Sequence, residues 1–144
     1  AEKKPVVKTE DTGQREAEVS STPQVASNQD KKITLRNIFT SDDMSLTASG
    51  THLLAELCKQ EKAMAWSKVA VIGFTDNVET TLGMNLVASR ARAKLVSSYF
   101  SDKNCFSFPI HIQGLGSARP VADNRTQQGR ELNNRVEVIF SVGN

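Results

Sequence analysis

Lys68-Val69-Ala70-Val71-Ile72-Gly73-Phe74 is almost continuously apolar, and a polar stretch from Thr75 to Thr81 separates it from Leu82 to Ser101. The first segment predicts a central strand covered on both faces, of the kind that most often has a parallel neighbour. The second repeats its apolar residues at helical spacing. It predicts a helix with Ala88, Ala91, Leu95 and Tyr99, beside Val96 and Phe100, as its core stripe. A buried strand leading into an amphipathic helix is the building unit of an α/β fold.

Upstream, Thr47 stands where it can cap a helix running to about Lys62, with Leu53, Leu54, Leu57 and Cys58 on one side. Gly50 weakens the first turn of that helix slightly. Before it, Ser41-Asp42-Asp43-Met44 forms a polar turn, and Ile33 to Phe39 mixes apolar and polar residues as a strand with one wet face does. Downstream, Pro109 to Leu115 reads as a strand closed by Gly114-Leu115-Gly116. A polar connection from Ser117 to Gln128 leads to a helical turn over Gly129 to Asn134. In the closing strand, Arg135 to Val142, Val136, Val138, Phe140 and Val142 alternate onto one face. The order is strand, helix, strand, helix, strand, strand. Right-handed crossovers then place both helices on one face of a mixed parallel and antiparallel sheet, an α/β sandwich. The chain shows no internal repeat.

Residues 1–32 carry no such period. Glu, Lys, Ser, Thr and Gln dominate, and the scattered valines follow neither helix nor strand spacing. They are expected to form a disordered linker, either a plain tail or a tether to a membrane anchor, ahead of a folded domain over 33–144. The chain starts at Ala1 rather than Met, which reads as a trimmed or mature fragment with any anchor upstream.

Bulk properties exclude several classes. The net charge is +2. The first 30 residues hold four basic and six acidic side chains, leaving 14 basic and 10 acidic for the rest. That excess is too mild for a nucleic-acid binder, and Arg90-Ala91-Arg92-Ala93-Lys94 fits the wet side of a helix. No apolar run approaches the roughly 18 residues that span a bilayer. His52 and His111 do not give Cys58 and Cys105 a zinc-site spacing. Nor is either histidine near a glycine-rich elbow around a nucleophile, and Gly114-Leu115-Gly116-Ser117-Ala118-Arg119 lacks the third glycine of a dinucleotide fingerprint. The reading is a binding module and not an enzyme.

The informative edge is where the central strand meets the second helix. Asp76 follows the buried strand directly, and Arg92 borders the helix core stripe. A fixed carboxylate and a fixed guanidinium at one rim can hold opposite ends of a zwitterion. The same pair also fits a plain salt bridge that orients the loop.

Gly73-Phe74-Thr75-Asp76-Asn77, then Asn85-x-x-Ala88-Ser89-x-x-Arg92-Ala93, resembles the pattern G-H/Y-T-D…N-x-x-L-S-x-x-R-A. Gly114 to Val138, with Pro120-Val121-Ala122, Asn124, Thr126, Gly129-Arg130 and Asn133-Asn134-Arg135-Val136-Glu137, resembles the closing motif of the same family. Phe39 to Gly50 is similar to its first strand and helix start. This is the OmpA-like C-terminal domain of outer-membrane proteins, peptidoglycan-associated lipoproteins and MotB-type stator subunits, and the resemblance covers about residues 33 to 142.

The resemblance implies a periplasmic domain that binds peptidoglycan non-covalently through the diaminopimelate residue of the stem peptide. Asp76 would take the ammonium of that residue and Arg92 its carboxylate. Thr75 and Asn77 would contribute from the loop, Asn85 would shape the pocket, and Asp42 and Asp43 would line the rim. No metal or cofactor is implied, and the membrane would be reached only through an anchor upstream of Ala1. Four positions depart from the pattern: Phe74 for His or Tyr, Ala88 for Leu, Glu79 for a frequent Gly, and Asn134 for an Arg that lines the ligand site. A different class of function, a scaffold for protein assembly in a secretion, pilus or motor complex, fits the same fold.

The topology also bears on the cysteines. Cys58 is expected near the end of the first helix and Cys105 just past the end of the second. Helices that cross between strands on one face return to the same sheet edge, which favours a Cys58–Cys105 disulfide over a buried thiol and an unrelated loop cysteine.

Overall fold

Alternation along the last strand organises the sheet. The computed structural model describes residues 6–7, 16–23, 30–77 and 82–142. The elements are β1 (Val6–Val7), β2 (Ala17–Pro23), β3 (Lys31–Arg36), α1 (Ala48–Glu61), β4 (Lys68–Phe74), α2 (Leu82–Asp102), β5 (Ile110–Gly114), α3 (Gln127–Asn133) and β6 (Arg135–Ser141). The sheet runs β1-β2-β3-β6-β4-β5. Only β4 and β5 are parallel; the other neighbours are antiparallel.

In the middle of the sheet Val138 pairs with Ile33 on one side and Val71 on the other, and Val136 faces Leu35 and Gly73. The alternating apolar residues of three strands therefore point to one face. There they join Leu53, Leu54 and Leu57 of α1 and Ala93, Val96 and Phe100 of α2 in a single core. Thr47 caps α1 by accepting a hydrogen bond from the Gly50 amide at 2.9 Å. At the other end of α1, the buried Glu61 carboxylate takes Lys31 Nζ at 2.7 Å and Trp66 Nε1 at 2.9 Å, tying the helix to the start of β3.

Three expectations are corrected. First, regular structure does not begin at Ile33. Ala17–Pro23 lies beside β3 over six registered pairs, with Ala17 fully buried and its amide donating to Ser49 Oγ. The remaining parts of the expected linker, 1–5, 8–15 and 24–29, lie outside the described residues. Second, β4 is not covered equally on both faces. Val69 and Val71 are buried under the helices, whereas Ala70 and Ile72 are half-buried on a face where His111 and Gln113 of β5 are exposed. Both crossover helices lie on one side; the other keeps contact with water along β5, while Phe74, Arg135 and Glu137 are buried on it where β4 meets β6.

Third, the buried stripe of α2 is Asn85, Ser89, Ala93, Val96 and Phe100; Ala91 is exposed, and Ala88, Leu95 and Tyr99 are half-buried. The cause lies in the strands beneath. A Cβ on Gly73 would run into the Ser89 carbonyl, and one on Gly114 into the Arg90 amide. The two glycines let the helix backbone rest directly on the sheet, and small polar residues fill the contact. Ser89 Oγ donates to the Leu86 carbonyl at 3.0 Å and accepts from the Gly116 amide at 2.9 Å. Gly73→Ala is accordingly expected to lower the unfolding free energy by about 1–3 kcal/mol, the usual cost of overpacking. A urea midpoint equal to the parent's would show that the helix can lift off without penalty.

Cys58 and Cys105 are joined by a disulfide, with Cα atoms 5.5 Å apart. It links the C-terminal part of α1 to the segment that follows α2.

Candidate functional site

Four pieces of chain meet at one rim of the sheet: the 38–47 loop after β3, the end of β4, the first half of α2, and the junction of α3 with β6. The loop is held by its own backbone. Thr47 N donates to Ile38 O and Thr40 N to Ser45 O, both at 2.9 Å, and Phe39 bridges to Leu46.

The two adjacent aspartates of this loop take different work. Asp42 turns inward on the loop, where its Oδ1 accepts from Thr40 Oγ1 at 2.6 Å and from the Met44 amide at 3.0 Å. Those two bonds hold its carboxyl below the usual carboxylate range. Asp43 instead adopts a left-handed backbone (φ 59°), a conformation that Asp tolerates better than most residues. Its Oδ2 reaches Arg92 Nη2 at 2.8 Å. Of the two residues expected at the rim, Asp43 lines it and Asp42 shapes the loop.

Arg92 leaves α2 toward the end of β4. Its Nη1 donates to the Phe74 carbonyl and to Asn134 Oδ1, each at 3.1 Å. Asn134 Oδ1 also accepts from the Asp76 amide at 2.9 Å, while its Nδ2 donates to Asp76 Oδ2 at 2.8 Å. One side-chain amide thus joins the loop carrying Asp76 to the guanidinium of Arg92. The position where the resembled pattern has arginine is here the hub of the site. Its neighbour Asn133 is fully buried and fixes the long connection instead, accepting from the Val121 and Ala122 amides at 2.7 and 2.9 Å.

Thr75 and Asn85 are buried beside this network, and Thr75 N donates to Gly116 O at 2.8 Å. Among the described residues, the buried side-chain polar atoms without a hydrogen-bond partner are Thr75 Oγ1, Asn85 Oδ1 and Arg92 Nε. All three belong to residues expected in the site. Buried polar atoms are normally satisfied, and these three sit on residues that line or adjoin the rim. Asn77 is exposed at the end of the described part of its loop, and Glu79 lies outside the described residues.

A pocket of about 240 Å³ opens here, lined by Asp43, Arg92 and Asn134 together with Arg36, Asn37 and Arg135. The sequence reading missed the two arginines. Arg135 is buried, with its guanidinium 3.8 Å from the centre of the Phe74 ring and its Nε on Glu137 Oε2 at 2.9 Å. Phe74 thus serves as the platform for a structural cation. Arg36 gives its Nε to the Leu132 carbonyl at 3.1 Å. Burial, and then the charge of Arg135, pull its guanidinium below the ordinary range. Their only signal in the sequence was a basic residue on the polar face of a strand.

The described residues contain no group of three or more His, Cys, Asp or Glu able to hold a metal, and no helix among them is long and apolar enough to cross a membrane. His52 and His111 are exposed, one on α1 and one on β5.

The chain belongs to the OmpA family, whose model matches residues 38–134. The peptidoglycan-binding protein ArfA of Mycobacterium tuberculosis is 35% identical over 103 residues, 72% of this chain and 31% of ArfA. The outer-membrane lipoprotein YfiB of Pseudomonas aeruginosa is 34% identical over 94 residues, 65% of this chain and 55% of YfiB. The chain therefore spans about a third to a half of the length of these relatives. Among solved structures, the cell wall anchor of the T6SS from Pseudomonas aeruginosa superposes with a TM-score of 0.68 at 25% identity, covering 85% of this chain and 88% of that one. The periplasmic domain of Helicobacter pylori MotB shares the fold with a TM-score of 0.74 at 21% identity, covering 99% and 88%.

Proposed function

We propose that this domain binds peptidoglycan non-covalently in the periplasm and so fixes an envelope protein or membrane machine to the cell wall, acting by recognition and not by catalysis. The observation that carries the reading is the rim itself: Asp76 and Arg92 are joined through Asn134, beside three buried polar atoms that have no partner. The ligand proposed is the diaminopimelate residue of the stem peptide. Asp76 takes its ammonium and Arg92 its carboxylate. Thr75 and Asn85 offer oxygens to an ammonium, which has three hydrogens to place. The relatives support peptidoglycan as the polymer; the choice of diaminopimelate rests on the resemblance of the Asp76 and Arg92 motifs to those of the family, and the pairing of charges agrees with it.

A scaffold role in protein assembly draws on Met44, Met84 and Val87, which are exposed on the 38–47 loop and on α2. Co-sedimentation with purified diaminopimelate-type sacculi separates the two readings. The domain is expected in the pellet, and free stem peptide is expected to release it. Protein that stays in the supernatant at every sacculus concentration would leave the scaffold.

A further inference from the structure

We infer that Asp43 occupies Arg92 in place of the ligand's carboxylate, and thereby makes binding conditional on a ligand that carries an ammonium beside its carboxylate. The inference rests on the reading of the rim as a zwitterion site and adds a specificity determinant to it.

The guanidinium of Arg92 is closed on one side by the protein. Both hydrogens of Nη1 are committed, to Phe74 O and to Asn134 Oδ1 at 3.1 Å each. The remaining edge consists of Nη2, held by Asp43 at 2.8 Å, and Nε, which has no partner. The Arg92 side chain is only 15% exposed, whereas that of Asp43 is 41% exposed. An incoming carboxylate therefore reaches Arg92 on the side that Asp43 holds, and binding is an exchange of one carboxylate for another.

Such an exchange gains little by itself, since the new ion pair replaces an equivalent one. It also takes from Asp43 the ion-pair partner that it holds at 2.8 Å, and a carboxylate that loses such a partner is left worse off. A ligand ammonium removes that cost by pairing with Asp43 as Arg92 is handed over. A simple anion cannot.

The other arginines that line this pocket are engaged elsewhere. Arg135 is held on Glu137 Oε2 at 2.9 Å, and Arg36 is tied to the Leu132 carbonyl. Lys94 shares a neighbouring hollow of about 320 Å³ with Asp43 and Met44 but is exposed, and exposed pairs contribute little. Asp43 can leave without undoing its loop. The bonds that hold the loop are Thr40 N to Ser45 O, Asp43 N to Thr40 O and those of the Asp42 carboxylate; none uses the Asp43 side chain.

The test compares the parent with Asp43→Asn, a residue that tolerates the same left-handed backbone. Two ligands are titrated by calorimetry: a stem tripeptide ending in diaminopimelate, and the same tripeptide with the side-chain amine acetylated. Acetate is titrated separately while the Arg92 Nε–H signal is followed by NMR. The parent should prefer the free amine by about tenfold or more, the scale of one charge-assisted contact. In Asp43→Asn the acetylated peptide should bind more tightly than it binds the parent, so that the preference shrinks several-fold. Acetate should shift the Arg92 signal in the variant and not in the parent.

An unchanged preference, or equal weakening of both peptides, would make Asp43 an ordinary contact and overturn the inference. Were neither peptide to bind the parent, the peptidoglycan reading would fail. The acetate titration would still decide whether Asp43 blocks Arg92: a shift in both proteins, or in neither, overturns it.

Discussion

Asp76→Ala should weaken binding of the diaminopimelate stem peptide by about one to two decades, and Arg92→Ala by at least as much. Each change leaves one end of the ligand without its charged partner, a loss of roughly 1.5–3 kcal/mol for a charge-assisted hydrogen bond. Arg92→Ala has the wider effect because it also releases Asp43, the Phe74 carbonyl and Asn134 Oδ1. Asp76→Asn is the gentler probe, since it removes the charge yet keeps an oxygen for Asn134 Nδ2. Arg92→Lys should recover only part of the loss, because an ammonium cannot reach three separate acceptors in one plane. Arg90→Ala should bind as the parent does, for Arg90 is exposed on the far side of the helix from the rim. Calorimetric titration of the variants, with circular dichroism as a folding control, checks the set. Equal affinity across Asp76→Ala, Arg92→Ala and a parent that binds would remove these residues from the site.

Loss of the Cys58–Cys105 bond should lower the unfolding free energy by about 4 kcal/mol. The cysteines are 47 residues apart in sequence, and chain-entropy arguments assign about that much to a loop of this length. The Cα separation of 5.5 Å is in the range that a disulfide spans without moving the backbone. Cys105 is buried, and its amide donates to Phe100 O at 3.0 Å, so the segment after α2 is already seated where α1 can reach it. Urea unfolding of the oxidised protein, the reduced protein and a Cys58→Ser/Cys105→Ser variant measures the difference. The two thiol-free or reduced forms should agree with each other. A midpoint unchanged by reduction would show that the bond contributes nothing to stability.

The segments that could be read in the sequence carry a pattern that coincides with burial. β6 alternates as a half-covered strand does, β4 is an apolar run of strand length, and Thr47 announces α1 through a side chain that can accept from the helix backbone. β2 carried no such signal. Among the described side chains of β2, Ala17 to Ser20, Ala17 alone is buried, and a strand held mainly by main-chain bonds to its neighbours leaves little trace in side-chain pattern. In α2 the expected stripe followed the larger apolar residues. The true contact is set by glycines on other strands, which no local window contains.

Asp76 and Arg92 were singled out because the chemistry of a zwitterion and the spacing of a family motif pointed to the same residues, and the structure joins the two through Asn134. The division of labour between Asp42 and Asp43 was not legible. Adjacent, chemically identical residues differ here only in backbone conformation. Asn134 was visible as a departure from the pattern, but its three hydrogen bonds depend on α3 delivering it between the β4 loop and α2, a tertiary fact.

The added edge of the sheet has a mechanical consequence. β2 begins beside Arg36, at the end of β3 where the pocket opens, and among the described residues β1 meets β2 through two registered pairs. A load applied at Val6 would reach the sheet at the same end as the rim. The edge of a sheet opens at lower cost than its centre, so the two pairs of β1 are expected to part before the six that join β2 to β3. Strands β4 and β6, which with α2 carry the rim, lie deeper in the sheet.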